Sequence, residues 1–185
     1  MDRRIKYTKT VIKDTIIKLL QEKDIKKITV SEICKIADIN RATFYRYYLD
    51  VYDLLDKIKD DLIEELRAAV TDSSNYTVSI FAKDLLKVLL DNKELVKILF
   101  KTDNNVYFLY DFLEVAYDKC KERWQNDLKN INEEDIDYAT LFIFNGALGI
   151  INYWVNNDFD KGIDELAEII EKLSYFGIKR FIYRQ

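Results

Sequence analysis

The side chains best placed for chemistry in this chain lie between Asn40 and Tyr47, where the sequence reads NRATFYRY. On a helical wheel at about 100° per residue, Ala42, Thr43, Tyr45 and Arg46 share one arc, with Arg41 and Tyr47 at its margins. Phe44 and Tyr48 fall on the opposite line, a buried side. The outward arc therefore offers a small residue, a hydroxyl, a tyrosine and a guanidinium. Arginine pairs bidentately with guanine, Tyr and Thr bond phosphate or base edges, and alanine lets a groove wall come close. A surface helix with no partner more often carries Glu and Lys there. Asn40, Arg41, Ala42, Thr43, Tyr45, Arg46 and Tyr47 are accordingly the expected nucleic-acid contacts, together with Thr29 at the start of the preceding helix. The plainer alternative is a solvated helix face.

Catalysis has no such constellation. The chain contains no histidine, which removes His-based triads, His general bases and most zinc or iron sites. Cys34 and Cys120 are too far apart to suggest a metal site and read as free thiols in a reducing cytoplasm. No glycine occurs before Gly146, so there is no glycine-rich phosphate loop. The carboxylates fall on expected solvent faces. No enzyme activity, cofactor or metal is expected.

The elements that must position Asn40–Tyr47 are helical. Proline is absent and there are only four glycines, Gly146, Gly149, Gly162 and Gly177, too few for the turns of an all-β fold. The prediction is an all-α chain of about nine helices: Lys6–Lys23, Thr29–Ile36, Asn40–Tyr47, Val51–Val70, Thr77–Leu90, Lys93–Phe100, Val106–Gln125, Glu133–Asn156 and Ile163–Tyr183. Thr29-Val30-Ser31-Glu32 fits a capping box, a hydroxyl with a glutamate three residues on. Ala37-Asp38-Ile39 makes the turn and Asn40 caps the third helix. Charge divides the chain: residues 1–48 sum to +6 and residues 49–185 to −10. A basic head on an acidic body points to a polyanion partner for the head alone. Two domains follow, 1–50 for DNA binding and 51–185 for a larger helical body. No signal peptide is read at the N-terminus and no apolar run reaches the roughly 20 residues of a membrane span, so a cytoplasmic protein without a membrane partner is expected.

The stretch ITVSEICKIADINRATFYRYYLDVYDLL, Ile28 to Leu55, resembles the helix-turn-helix of the TetR family of bacterial transcriptional regulators. That pattern is a Thr-capped helix, an Ala-Gly-Val-like turn, and a recognition helix containing Thr-Phe-Tyr followed by His-Phe. The likeness extends residue by residue from Thr10 to Leu55. Three positions depart from it. Asp38 replaces the usual turn glycine, a conformation Asp tolerates. Tyr47 stands where His is common and keeps a hydroxyl for phosphate. Val51 stands where a lysine commonly opens the fourth helix and meets the DNA backbone, so one phosphate contact is missing: either affinity is weaker, or Tyr52 and the basic N-terminal arm contribute more.

In the body, ATLFIFNGALGIINYWV (Ala139 to Val155) is apolar nearly all round and must be buried on more than one side. Its small residues permit close approach by another helix, either inside the subunit or across a two-fold axis. The resemblance implies the second, a four-helix homodimer interface, with Gly146, Ala147, Gly149, Ile150, Ile169 and Leu173 as candidates. The aromatic-rich Val106–Trp124 segment is either core or the wall of a ligand pocket, for which Tyr110, Tyr138 and Trp154 are candidates. The resemblance further implies a regulator, most simply a repressor, bound to a palindromic double-stranded DNA operator and released by a small-molecule effector. The alternative is a co-activator or protein-interaction module of the same fold.

Overall fold

The computed structural model describes residues 3–69, 77–101, 117 and 133–182. Among them are eight α-helices and no strand: α1 (Arg3–Glu22), α2 (Val30–Ile36), α3 (Arg41–Tyr45), α4 (Val51–Ala69), α5 (Val78–Asp91), α6 (Lys93–Lys101), α7 (Glu133–Asn156) and α8 (Ile163–Ile182). The all-α expectation holds. The predicted Val106–Gln125 helix, with Tyr110 and Cys120, lies outside the described residues. A single 3-10 turn, Ile25–Lys27, joins α1 to α2 and was not foreseen. Asp24 builds it by accepting the Lys26 N–H at 2.8 Å.

The chain forms two compact units, Met1–Leu62 and Ile63–Gln185. The division falls within α4, not between residues 50 and 51, because the first three turns of α4 supply core to the first unit. Val51, Leu54, Ile58 and Leu62 are buried there with Ile12, Ile16 and Leu19 of α1, Ile33 of α2, and Phe44. Each helix contributes apolar residues at three- and four-residue spacing, the pattern of a one-sided helix face. Thr15 is buried among them and satisfies its hydroxyl on the Val11 carbonyl at 2.8 Å.

In the second unit α5 packs along α8, α6 along α7, and α7 along α8. Leu85, Leu86, Leu89, Leu95, Val96, Leu99, Ile151, Trp154, Val155, Leu166, Ala167 and Ile170 form its core. Lys83 and Asp164 pair at 2.6 Å between α5 and α8. Buried Thr140 and Ser174 each donate to the carbonyl four residues back, so neither leaves a polar group unsatisfied. Helix α7 corrects one expectation. By length and composition Glu134–Asn156 is long and apolar enough to cross a membrane, although its first turn carries the charged Glu134, Asp135 and Asp137.

Candidate nucleic-acid interface

The second and third helices are set by caps at three places. The Thr29 hydroxyl accepts the Glu32 N–H at 3.2 Å and starts α2. The other half of the predicted capping box is absent: the Glu32 carboxylate instead takes the Lys23 ammonium at 2.6 Å, tying α2 to the end of α1. At the far end Asp38 adopts φ 51°, and the Ile39 N–H reaches back to the Cys34 carbonyl at 3.0 Å. This left-handed reversal, in which the second residue past the C-cap Ala37 bonds five positions back, stops a helix abruptly. The Asn40 side chain then accepts the Ala42 N–H at 2.9 Å and starts α3.

Helix α3 ends at Tyr45, earlier than the predicted Tyr47, and the chain continues as a turn through Arg46 and Tyr47. The side chains still divide as the wheel requires. Phe44 and Tyr48 are buried, their rings 5.5 Å apart, while Arg41, Ala42, Tyr45 and Arg46 are exposed and Thr43 and Tyr47 half-buried. Arg41 donates from Nη2 to the Tyr45 hydroxyl at 3.4 Å, with its guanidinium 5.9 Å from that ring. The pair holds a cation and a phenol side by side on the outer arc. Lys9 of α1 places its ammonium 5.8 Å from the Tyr47 ring, which brings the basic helix beside the end of α3.

Val51, at the position of the family's usual lysine, is only 5% exposed; it serves the core. A different lysine approaches the turn: Lys57 donates to the Tyr47 carbonyl at 3.0 Å and pairs with Asp53 at 2.9 Å. Burial, with Asp61 and Asp53 nearby, pushes the Tyr48 phenol up to about 12, so it stays neutral and packs as core. Burial also raises the Cys34 thiol, against the opposing pull of Arg41, which disfavours the reactive thiolate.

The second unit holds a cavity of about 340 Å³ between α7 and α8, with apolar walls. Gly146, Gly149, Ile150, Trp154, Leu166 and Ile169 contribute to it. Trp154 is buried and its indole N–H donates to the Lys161 carbonyl at 2.9 Å. Tyr138, the other pocket candidate among the described residues, is 65% exposed and does not line this cavity. Helix α7 also leaves Leu141, Phe142 and Tyr153 exposed, and α8 leaves Leu173.

Residues 76–175 match the family model TetR_C_8, described as the transcriptional regulator C-terminal region. The chain belongs to the TetR family of transcriptional regulators. Over 65 residues it is 31% identical to an uncharacterized HTH-type transcriptional regulator, YxbF, of Bacillus subtilis strain 168; the match spans 35% of this chain and 17% of that relative. Among solved structures, a TetR transcriptional regulator from Streptococcus agalactiae is 26% identical, with a TM-score of 0.66 over 94% of this chain and 96% of that one. The dihydroxyacetone kinase operon activator DhaS shares the fold at 22% identity, with a TM-score of 0.72 over 94% and 97%.

In this TetR-family head, Arg41, Ala42, Tyr45 and Arg46 come to one exposed face, with Thr43 and Tyr47 at its border. Thr29 and Asn40 have capping as their visible role. Lys9 belongs to the basic N-terminal arm that the sequence already offered for phosphate, whereas sequence reasoning missed Asp53 and Lys57. The Asp53–Lys57 pair was legible as an oppositely charged pair four apart on a helix. The reach of Lys57 back to Tyr47 was not, since it depends on the angle between α3 and α4.

Proposed function

We propose that this TetR-family regulator binds a palindromic operator as a homodimer, each subunit laying the outer arc of α3 in a major groove. The observation that carries this is the division of α3 and its turn: Phe44 and Tyr48 anchor one side while Arg41, Ala42, Tyr45 and Arg46 stand exposed on the other. Arg46 and the Arg41–Tyr45 pair are the groove readers, and Thr43 and Tyr47 bond phosphates. Thr29 and Asn40 add phosphate contacts at the two helix starts. Lys9 and the rest of the basic α1 end take over the backbone contact that Val51 cannot make. Two heads related by a two-fold axis read two half-sites of opposite sense, hence the palindrome.

The dimer is supported by α7 and α8. Gly146 and Gly149 lie in the interior of α7, where glycine costs about 1 kcal/mol each relative to alanine. Among the described residues a methyl group at either position would meet nothing within 4 Å. A close neighbour from outside the subunit gives those glycines a reason, and exposed Phe142, Tyr153 and Leu173 give it apolar surface. Ala147, Ile150 and Ile169 are half-buried on the same two helices. The cavity beside Trp154 opens onto this face, so the second copy is its proposed cover. Release by a small-molecule effector belongs to the same reading, on the strength of family resemblance.

Repression is the simplest outcome for an operator-bound dimer. Activation is the second reading, favoured by DhaS, which is named as an operon activator. A gel-shift titration against DNA flanking the protein's own gene, followed by transcription from that DNA, tests both. Sequence-preferring, salt-sensitive binding is expected, with less transcript. Binding with more transcript selects the activator; no sequence preference removes the operator assignment.

A further inference from the structure

We propose that Lys57, held by Asp53, is a positioning residue that fixes the C-terminal end of the recognition helix to α4. The proposal rests on the reading that α3 contacts DNA, and it adds a part of the machinery that touches no base.

A five-residue helix cannot hold its own direction, because one hydrogen-bonded turn costs more order than it returns. Helix α3 must be held from outside at each end. Its start is held locally, by Asn40 on the Ala42 N–H. Its end is held by α4. The Tyr47 carbonyl accepts the Lys57 ammonium at 3.0 Å, and the Leu49 N–H donates to Asp53 Oδ2 at 2.8 Å. The same Asp53 oxygen accepts from Lys57 at 2.9 Å, closing a ring of charge-assisted bonds around the turn. The Lys57 ammonium also lies 5.6 Å from the ring of Tyr48, whose neighbour Phe44 anchors α3. Asp50 completes the join by accepting the Tyr52 and Asp53 N–H groups at 2.8 and 2.9 Å. The turn is thus tied to α4 at both a carbonyl and an amide. A displacement of the first two turns of α4 carries the end of α3 with it.

A direct phosphate contact by Lys57 is the competing role, and the two differ in sign at Asp53. As a phosphate ligand, Lys57 would be helped by removing the carboxylate that engages it. As a positioning residue, it loses its hold. The test measures Lys57→Met, Lys57→Arg and Asp53→Asn for binding to the operator and to a duplex of scrambled sequence across a salt series. Amide hydrogen exchange over residues 44–49 of the free protein is followed alongside.

Lys57→Met is expected to weaken operator binding about tenfold with scrambled-duplex binding and the salt slope unchanged. Lys57→Arg, which keeps a donor, recovers most of the loss. Asp53→Asn weakens operator binding in the same direction, and exchange over 44–49 quickens in both Lys57→Met and Asp53→Asn. Equal or tighter operator binding by Asp53→Asn, with the Lys57→Met salt slope lower by about one, overturns the proposal in favour of a phosphate contact. If the wild type shows no operator preference, the DNA reading fails instead, and the exchange rates still decide whether the clamp holds α3.

Discussion

In the proposed reading Arg46 and the Arg41–Tyr45 pair carry the DNA contacts, and their exposure sets them apart from the buried Phe44. Tyr45→Ala or Arg46→Ala removes an exposed side chain and leaves the anchor in place. Each is expected to lower operator affinity by about ten- to a hundredfold, in line with the loss of one good polar contact to a base or phosphate. Sedimentation and thermal melting should match wild type; an unchanged gel-shift midpoint would mean that the arc faces away from DNA. Phe44→Ala acts by the opposite route. Phe44 is completely buried, and deleting such a ring costs about 3–5 kcal/mol. A calorimetric scan should show the first unit melting early, with DNA binding lost as a consequence. Inward and outward positions were readable because a helix repeats every 3.6 residues and the sequence alternates anchor and arc at that interval. The partner of Glu32 was not readable: the capping box and the Lys23 ion pair both suit that glutamate, and only the approach of α1 to α2 chooses between them.

At the level of elements, the join between α3 and α4 makes a statement about acid. The Leu49 N–H, and then Lys57, hold the Asp53 carboxyl below its ordinary value of 3.8. A carboxylate depressed in the folded state contributes fully above its unfolded value and loses that contribution as pH falls through the lower folded one. The stability difference between wild type and Asp53→Asn is therefore expected to be constant at neutral pH and to shrink below about pH 4. Urea titrations at pH 7, 5 and 3 would show it; a difference that persists unchanged at pH 3 would mean that the Asp53 charge contributes nothing. Helix boundaries were legible within a residue or two wherever a cap or a polar break marked them, as at Thr29, Asn40 and Thr77. The early end of α3 was less legible, because Arg46 and Tyr47 suit a helix by pattern. In the structure the Tyr47 and Tyr48 N–H groups both bond the Phe44 carbonyl, a tightening that begins the turn into α4. The 3-10 turn at Ile25–Lys27 is too short to leave any periodic signal.

For the whole molecule, the sequence divides at a charge boundary and the structure divides at a packing boundary. Net charge changes sign near residue 48, whereas the compact units meet inside α4, between Leu62 and Ile63. The difference arises because one apolar stripe runs the length of α4, and a helical wheel cannot tell which unit each turn of it serves. The proposed assembly leads to a sharper test, through the glycines of α7. Gly149→Leu places a large side chain where the described residues of the subunit leave open space. Leucine is also the better helix former, by about 1 kcal/mol. If the glycine served the subunit's own packing, the substitution would destabilise the fold. If it serves a second copy, the subunit should fold as well as wild type or better while the two copies are forced apart. The expected result is an undiminished helical signal and melting of the isolated subunit, with sedimentation velocity shifting from dimer towards monomer at micromolar concentration. Operator binding should fall with it, because a single head engages one half-site, while a half-site duplex is bound as before. A Gly149→Leu protein that remains a dimer would place the two-fold interface elsewhere and leave the α7 glycines without a physical account.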